Sequence, residues 1–257
     1  MERVHYETNM ILEDYLKQYP RVAVAFSGGA DSSYLLFATR EAGCLVSAYF
    51  IKSQFQPMFE LDDAIKLADS IGVSLTVASL DALCDPEVVK NPPDRCYYCK
   101  KAILSKLKKI SLEDGFSVLC DGSNADDDET DRPGMRALRE LGVISPLRDC
   151  GLTKADIRRL SEQAGLFTFN KPSYACLATR FPTGTTITPE LLVKVESAES
   201  KLFEMGFSDF RVRLLPPCGA MLQMPACGWD LVAARRSEIL EAMSPLFDRV
   251  VLDLELR

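Results

Sequence analysis

A short stretch of serine and glycine, residues 27–33, has the composition of a phosphate-binding turn: Ser-Gly-Gly-Ala-Asp-Ser-Ser. It follows the apolar run 22–26 and precedes the run 34–38, which predicts a strand, a glycine turn and the start of a helix. The first N–H groups of a helix have no backbone partners and carry the positive end of the helix dipole, so an anion is favoured there. The lysine of the Gly-x-x-x-x-Gly-Lys-Ser/Thr loop and the third glycine of the dinucleotide turn are both missing. A small-residue turn without a ligand is the alternative.

Two cysteines separated by two residues, Cys96 and Cys99, are the second candidate for chemistry. Thiolates at this spacing can hold one tetrahedral metal or two corners of an iron–sulfur cluster, with further ligands from elsewhere. Cys218 and Cys227 lie nine residues apart and make a poor zinc half-site. A closed four-cysteine zinc site and a redox dithiol remain alternatives.

Cys176 is the third candidate. It lies in residues 171–184, an irregular segment that contains cations and prolines. Lys171 and Arg180 would favour the thiolate, which is the nucleophilic and metal-binding form. Three other cysteines, on or near predicted strands, are expected to be buried structural residues: Cys44, Cys120 and Cys150.

The elements that position these residues predict an α/β domain. Apolar runs alternate with helical patterns, which is typical of right-handed βαβ crossovers in a parallel sheet with helices on both faces. The predicted strands are residues 22–26, 44–51, 73–78, 116–121 and 143–147, and the predicted helices include 8–19, 31–41, 57–71, a basic helix through 110 and one capped by Thr153. Ser53 follows the second strand, and Gly122 is the second residue of the acidic loop 121–128. Both lie at the carboxyl edge of the sheet, where open α/β sheets bind ligands.

The periodicity disappears between residues 166 and 187 and returns in a small C-terminal module. Helical patterns at 189–205 and 231–243 and strands at 210–215 and 249–254 predict an α+β domain. We therefore predict a nucleotide domain over 1–170, an active-site linker over 171–187 and a substrate or oligomerisation domain over 188–257.

Arginines alternate along one strand of that module. The two-residue period of a strand puts Arg211 and Arg213 on one face. Two guanidiniums there could bind a phosphate or carboxylate bidentately. A solvated polar face is the alternative.

Composition excludes several classes of protein. The net charge of −7 weakens a general attraction to nucleic acid and favours a small ligand. The chain has nine cysteines and no recognisable export signal, so we do not expect its cysteines to form a disulfide framework. The single histidine, His5, excludes histidine triads and histidine metal clusters. No apolar stretch reaches about twenty residues, so we expect a cytoplasmic protein without a membrane span.

Taken together, the motifs resemble the LarE family, within the PP-loop ATP pyrophosphatases. They are residues 27–32, Arg-Cys-Tyr-Tyr-Cys-Lys at 95–100, Asp-Gly-Ser-Asn-Ala-Asp-Asp at 121–127, Arg-Pro-Gly at 132–134, Ser-Pro-Leu at 145–147 and residues 171–184. The resemblance implies an adenine nucleotide alpha hydrolase-like fold and an ATP-dependent sulfur transferase. Such enzymes adenylate a carboxylate of pyridinium-3,5-biscarboxylic acid mononucleotide and convert it to a thiocarboxylate during synthesis of the nickel-pincer nucleotide cofactor.

This resemblance implies roles for particular residues. Amides at Gly28 and Gly29 and the hydroxyls of Ser27 and Ser32 would hold the pyrophosphate of ATP, and Asp31 would bind Mg²⁺ or its hydration shell. Ser53 and Gly122 would complete the nucleotide site. Substrate contacts are expected from three arginines: Arg180, Arg211 and Arg213.

The sulfur source has two alternatives in this family. In one branch the matching cysteine gives up its own sulfur and becomes dehydroalanine. In the other, three cysteines hold a [4Fe–4S] cluster whose fourth iron carries an exchangeable sulfide, and Cys96, Cys99 and Cys176 fit that arrangement. We favour the cluster, and we expect a homo-oligomer and a protein that donates sulfur.

Three other functions are alternatives to this one. A PP-loop tRNA thiolase shares the loop but needs a wide basic surface. An ammonia-using amide ligase would have no use for Cys176. A non-catalytic nucleotide sensor would bind ATP without releasing pyrophosphate.

Overall fold

The computed structural model describes residues 12–127 and 133–255. They form two compact units. The first contains residues 12–53, Met58–Leu80 and Asp94–Lys171. The second contains Gln54–Pro57, Asp81–Pro93 and the residues from Pro172 onward.

A four-stranded parallel sheet forms the centre of the first unit. Its strands are β1 (Arg21–Ala25), β2 (Leu45–Lys52), β3 (Leu75–Ser79) and β4 (Val118–Asp121). They are arranged in the order β3-β2-β1-β4, and all three pairings are parallel. The predicted parallel sheet is confirmed, and the carboxyl ends of β1, β2 and β4 lie at one edge.

Helices cover both faces of this sheet. They are α1 (Ala30–Glu41), α2 (Met58–Ile71), α4 (Arg95–Glu113), α5 (Pro133–Leu141), the short α6 (Pro146–Asp149) and α7 (Lys154–Gln163), while α3 (Pro86–Val89) belongs to the second unit. Val22 and Val24 pack in a core with α1, α2 and α7, whereas Ala23 packs in another with α4 and α5. Burial on both faces explains why the strands are continuous apolar runs. Within the described ranges, no helix is both long and apolar enough to cross a bilayer.

The predicted fifth strand over residues 143–147 is wrong. Ile144 makes only an isolated parallel bridge to Cys120. Pro146 then begins α6, because proline has no N–H to donate to a sheet and its fixed φ suits the first turn of a helix. Of the predicted N-terminal helix, residues 12–17 are helical; residues 8–11 lie outside the described chain, as do His5, Asp128 and Arg132.

A three-stranded mixed sheet and further helices form the second unit. β5 (Arg211–Leu215) pairs antiparallel with β6 (Gly219–Gln223), and β6 pairs parallel with β7 (Arg249–Leu252). The helices after residue 188 are α8 (Pro189–Glu204), α9 (Trp229–Ala234) and α10 (Arg236–Met243). The predicted α+β module is therefore confirmed, but its central strand β6 was missed because prolines flank this five-residue run on both sides.

Candidate functional site

Residues 27–33 form the turn between β1 and α1. Gly28 has φ +72°, a conformation that favours glycine, and a Cβ at this position would lie 3.1 Å from the carbonyl oxygen of Glu60. Gly29 is the N-cap residue of α1 and has no side chain that could cap the helix. The first N–H groups of α1 therefore keep the capacity to bind an anion.

Two serine hydroxyls lie beside these amides. Ser32 Oγ donates to the carbonyl of Gly29 at 3.2 Å and lies 3.1 Å from Ser27 Oγ. Ser27 N donates to Ser32 Oγ at 3.3 Å. The structure therefore brings the predicted residues Ser27, Gly28, Gly29 and Ser32 into one turn that offers both amide and hydroxyl donors.

The loop after β4 packs closely on the first turn of α1. A Cβ on Gly122 would lie 2.8 Å from Ser32 N and 2.9 Å from Ser32 Cα, so only glycine fits without a backbone shift. Ser53 is buried directly after β2, at the same edge of the sheet. Both predicted residues thus lie at the carboxyl edge of the sheet, as the phosphate turn does.

Asn124 is a site residue that the sequence interpretation missed. Its side-chain amide donates to Asp31 Oδ2 at 2.9 Å, and its own Oδ1 accepts from Asp126 N at 2.9 Å. Asn124 is completely buried, and its N–H donates to Asp127 Oδ2 at 3.1 Å. Its position in the acidic loop that follows β4 is the sequence signal that could have identified Asn124 as a site residue. This contact orients the Asp31 carboxyl beside the phosphate turn.

The pKa of Asp31 is raised above the ordinary aspartate value. Burial is the main cause, the hydrogen bond from Asn124 opposes it, and the charge of Asp127 raises the pKa further. A partly buried carboxylate beside a second acidic residue is an environment that a cation would stabilise.

Cys96 and Cys99 lie near the start of α4. Cys96 is exposed and Cys99 is buried, and the guanidinium of Arg95 lies 3.5 Å from Cys96 Sγ. Lys100 follows them and forms an ion pair with Asp121 at 3.1 Å. Asp121 also accepts hydrogen bonds at 2.7 Å from two hydroxyls, those of Ser123 and Ser145. The start of α4 is therefore attached to the end of β4.

In the second unit, Cys176 immediately precedes a 3₁₀ turn, Leu177–Arg180. Cys176 is partly buried, and its backbone carbonyl accepts hydrogen bonds from Thr179 N at 2.9 Å and from Thr179 Oγ1 at 2.8 Å. Leu177 N donates to the carbonyl of Phe55 at 3.0 Å. The backbone around Cys176 is therefore held by specific hydrogen bonds although the segment is irregular.

Arg180 lies inside the second unit, fully buried against Glu199. Its Nη1 donates to the carbonyl of Ala175 at 2.6 Å and lies 3.5 Å from that of Cys176. Burial opposes the charge of the guanidinium, but the hydrogen bonds and charge of Glu199 outweigh it, so the pKa of Arg180 is raised. In this structure Arg180 holds the Cys176 segment, and its predicted contact with substrate stays a prediction.

The other two arginines lie on one face of β5. Val212 and Leu214 are buried on the opposite face, while Arg211 and Arg213 are partly buried. Arg213 donates through Nε to Gln223 and through Nη1 to the carbonyl of Thr179 at 3.3 Å. Arg213 thus contacts the same 3₁₀ turn that follows Cys176.

Comparison with known proteins identifies the family. The chain is 36% identical over 200 residues to a pyridinium-3,5-bisthiocarboxylic acid mononucleotide synthase from Lactiplantibacillus plantarum, covering 77% of this chain and 72% of the relative. This chain belongs to the LarE family. An uncharacterized protein from Synechocystis is 34% identical over 203 residues, covering 79% of this chain and 76% of the relative. No protein-family profile matches the chain.

The LarE chain also has distant relatives that modify tRNA. A tRNA-specific 2-thiouridylase MnmA from Thermotoga is 23% identical over 193 residues, which cover 59% of this chain and 54% of that protein. Both groups belong to the PP-loop ATP pyrophosphatases. This LarE homologue is therefore an ATP-dependent sulfurtransferase.

The described residues contain two of the three predicted cluster cysteines in one helix, α4. Cys96 and Cys99 supply two thiols one helical turn apart, of which one is exposed and one is buried. Across residues 12–127 and 133–255, no three or more His, Cys, Asp or Glu side chains are grouped so that they could hold a metal ion. Cys176 belongs to the second unit, and the cluster predicted at Cys96, Cys99 and Cys176 stays a prediction.

Proposed function

We propose that this protein uses ATP to activate a carboxylate of pyridinium-3,5-biscarboxylic acid mononucleotide and converts it to a thiocarboxylate. The observation that carries the proposal is the 36% identity to the synthase of L. plantarum over most of both chains. The phosphate turn supports it, because amide and hydroxyl donors at a helix N-terminus suit a pyrophosphate leaving group.

The first step is adenylation. A carboxylate oxygen of the substrate attacks the α phosphorus of ATP, and the bond from that phosphorus to the β-phosphate oxygen breaks. Pyrophosphate leaves while the amides at Gly28 and Gly29 and the hydroxyls of Ser27 and Ser32 stabilise its charge. The product is an acyl adenylate, whose carbonyl carbon is open to attack by sulfur.

Asp31 is proposed to hold Mg²⁺ or a water bound to it. The site fits a divalent cation because burial of the Asp31 carboxylate near Asp127 is costly without a positive charge. When bound, Mg²⁺ would spread the charge of the phosphates. Asn124 keeps Asp31 directed during this step through its hydrogen bond of 2.9 Å.

The second step transfers sulfur at Cys176. A sulfur nucleophile attacks the acyl carbon, the carbon–oxygen bond to AMP breaks, and AMP leaves. If Cys176 itself attacks, a thioester forms, and elimination of the Cα proton and the Cβ–Sγ bond releases the thiocarboxylate and leaves dehydroalanine. In the other proposal, Cys96, Cys99 and Cys176 would hold a [4Fe–4S] cluster, which would supply sulfide as the nucleophile.

Substrate binding is proposed for Arg211 and Arg213. They lie on one face of β5 and can bind a phosphate or a carboxylate bidentately. Arg180 would have to leave Glu199 to reach a substrate, which its complete burial disfavours. The cytoplasmic location, the homo-oligomer and the sulfur-donor protein stay predictions.

Single-turnover assays of a Cys176→Ala variant test the proposal. With ATP, Mg²⁺ and the dicarboxylate mononucleotide, we expect pyrophosphate release as in the wild type and no thiocarboxylate. A Cys150→Ala variant is the matched control and should form both products. Thiocarboxylate formation by Cys176→Ala would overturn the proposed role of Cys176. If the wild type released no pyrophosphate, the proposal that the dicarboxylate mononucleotide is the substrate would be overturned.

The sulfur source is decided on the wild-type protein, purified without oxygen. Intact mass after turnover should fall by the mass of H₂S if Cys176 is sacrificed. An unchanged mass with roughly four irons and acid-labile sulfide per chain would favour the cluster. Filter binding with bulk tRNA is the control for the tRNA thiolase alternative, which predicts tight and salt-sensitive binding.

A further inference from the structure

The ammonium group of Lys171 contacts the phosphate turn within the first unit. Lys171 Nζ donates to the carbonyl oxygen of Gly28 at 3.2 Å and forms an ion pair with Asp63 Oδ2 at 2.8 Å. The side chains of Lys171 and Asp63 are only 16% and 28% exposed, so water screens this pair weakly. The lysine therefore connects the turn to α2.

Both ends of Lys171 are held in place. Its backbone N–H donates to the carbonyl of Thr168 at 3.1 Å, and its carbonyl accepts from Arg158 Nη2 at 3.0 Å. Its ammonium also lies 5.8 Å from the centroid of the Phe59 ring. Because both its backbone and its ammonium group are hydrogen-bonded, Lys171 is held in one conformation.

Planarity of the peptide bond makes this contact relevant to the anion site. The carbonyl of Gly28 and the N–H of Gly29 belong to one trans peptide and point in opposite directions. Lys171 holds that carbonyl toward α2, so the N–H of Gly29 points away from α2, where it donates to Ser27 Oγ at 3.4 Å. Since both residues are glycines, side chains do not prevent this peptide from flipping.

We propose that Lys171 is a positioning residue that keeps the Gly29 N–H on the Ser27 side of the turn, where with the Ser27 hydroxyl it would meet the departing pyrophosphate, and that Asp63 supports Lys171. A flipped peptide would present a carbonyl oxygen to the phosphates and repel them. This inference rests on the proposed role of the turn in binding pyrophosphate. It assigns to Lys171 a function distinct from the expected effect on the Cys176 thiol.

Pyrophosphate and AMP binding, measured separately by calorimetry, test the inference. Lys171→Met should weaken pyrophosphate binding about tenfold or more, the effect of losing one charge-assisted hydrogen bond, while AMP affinity stays unchanged. Lys171→Arg keeps a cationic donor and should restore part of the loss. Lys109→Met, at an exposed lysine of α4, is the matched control and should bind both ligands as the wild type does.

Asp63→Asn separates this role from direct contact between Lys171 and phosphate. A positioning role predicts weaker pyrophosphate binding, because Lys171 loses its ion pair with Asp63. A lysine released to bind phosphate directly would keep or raise the affinity, and that result would overturn the inference. Equal pyrophosphate affinity in wild type and Lys171→Met would also overturn it, whereas a wild type that binds no pyrophosphate would instead overturn the proposed function.

Discussion

Arg180 and Glu199 form a bidentate ion pair with almost no exposure to solvent. The distances are 2.9 Å from Nε to Oε1 and 3.0 Å from Nη2 to Oε2, and the side chains are 0% and 2% exposed. Glu199 also accepts from Val212 N at 2.8 Å and from the hydroxyl of Tyr174. One carboxylate therefore joins α8, the strand that carries Arg211 and Arg213, and the segment around Cys176.

Glu199→Gln should destabilise the protein strongly. Removing one partner leaves the Arg180 charge buried and uncompensated, which typically costs about 3–5 kcal/mol of unfolding free energy. Urea unfolding measures this loss. Glu238→Gln, in an exposed pair with Arg235, is the control and should unfold as the wild type does. A similar small effect for both variants would mean that Glu199 does not organise the second unit.

Asp31→Asn should abolish adenylation without destabilising the protein at neutral pH. Burial raises the folded-state pKa of Asp31, so the folded protein holds that proton more tightly than the unfolded chain does. The ionised carboxylate therefore opposes folding above the folded-state pKa, and asparagine removes this cost. Urea unfolding should show a variant at least as stable as the wild type, with the difference shrinking as the pH falls toward the ordinary aspartate pKa. A less stable variant at pH 7 would contradict the sign of this effect.

Gly122→Ala should weaken ATP binding and stability together. The new Cβ would lie 2.8 Å from Ser32 N, which is backbone and must shift, and such overpacking costs about 1–3 kcal/mol. Gly134→Ala is the matched control, because its Cβ would meet a side-chain atom, Cδ of Lys100, at 3.0 Å, while the nearest backbone atom lies 3.9 Å away. Thermal unfolding with and without ATP and Mg²⁺ compares the two variants. If ATP and Mg²⁺ raised the unfolding temperature of Gly122→Ala as much as that of the wild type, the loop after β4 would not shape the phosphate turn.

Local signals in the sequence predicted most of the elements. Apolar runs predicted the four parallel strands, and the turn at residues 27–33 was predicted from its glycines. Thr153 and Asp156 form the expected capping box at the start of α7. Alternation along β5 correctly placed Arg211 and Arg213 on one face. The short strand β6 and the helix at Pro146–Asp149 were missed, because runs of four or five residues carry little periodicity.

The sequence by itself determined the strand, turn and helix of the phosphate site, the parallel sheet and the membership of the LarE family, because periodicity, glycine and spacing are local properties. Only the tertiary structure decided that Asn124 contacts Asp31, 93 residues earlier, and that Lys171 contacts Gly28, 143 residues earlier. It likewise paired Arg180 with Glu199 rather than leaving it on a surface. These contacts join segments whose proximity depends on strand order and on how helices pack over the sheet, and no local pattern records which side chain a buried charge will meet.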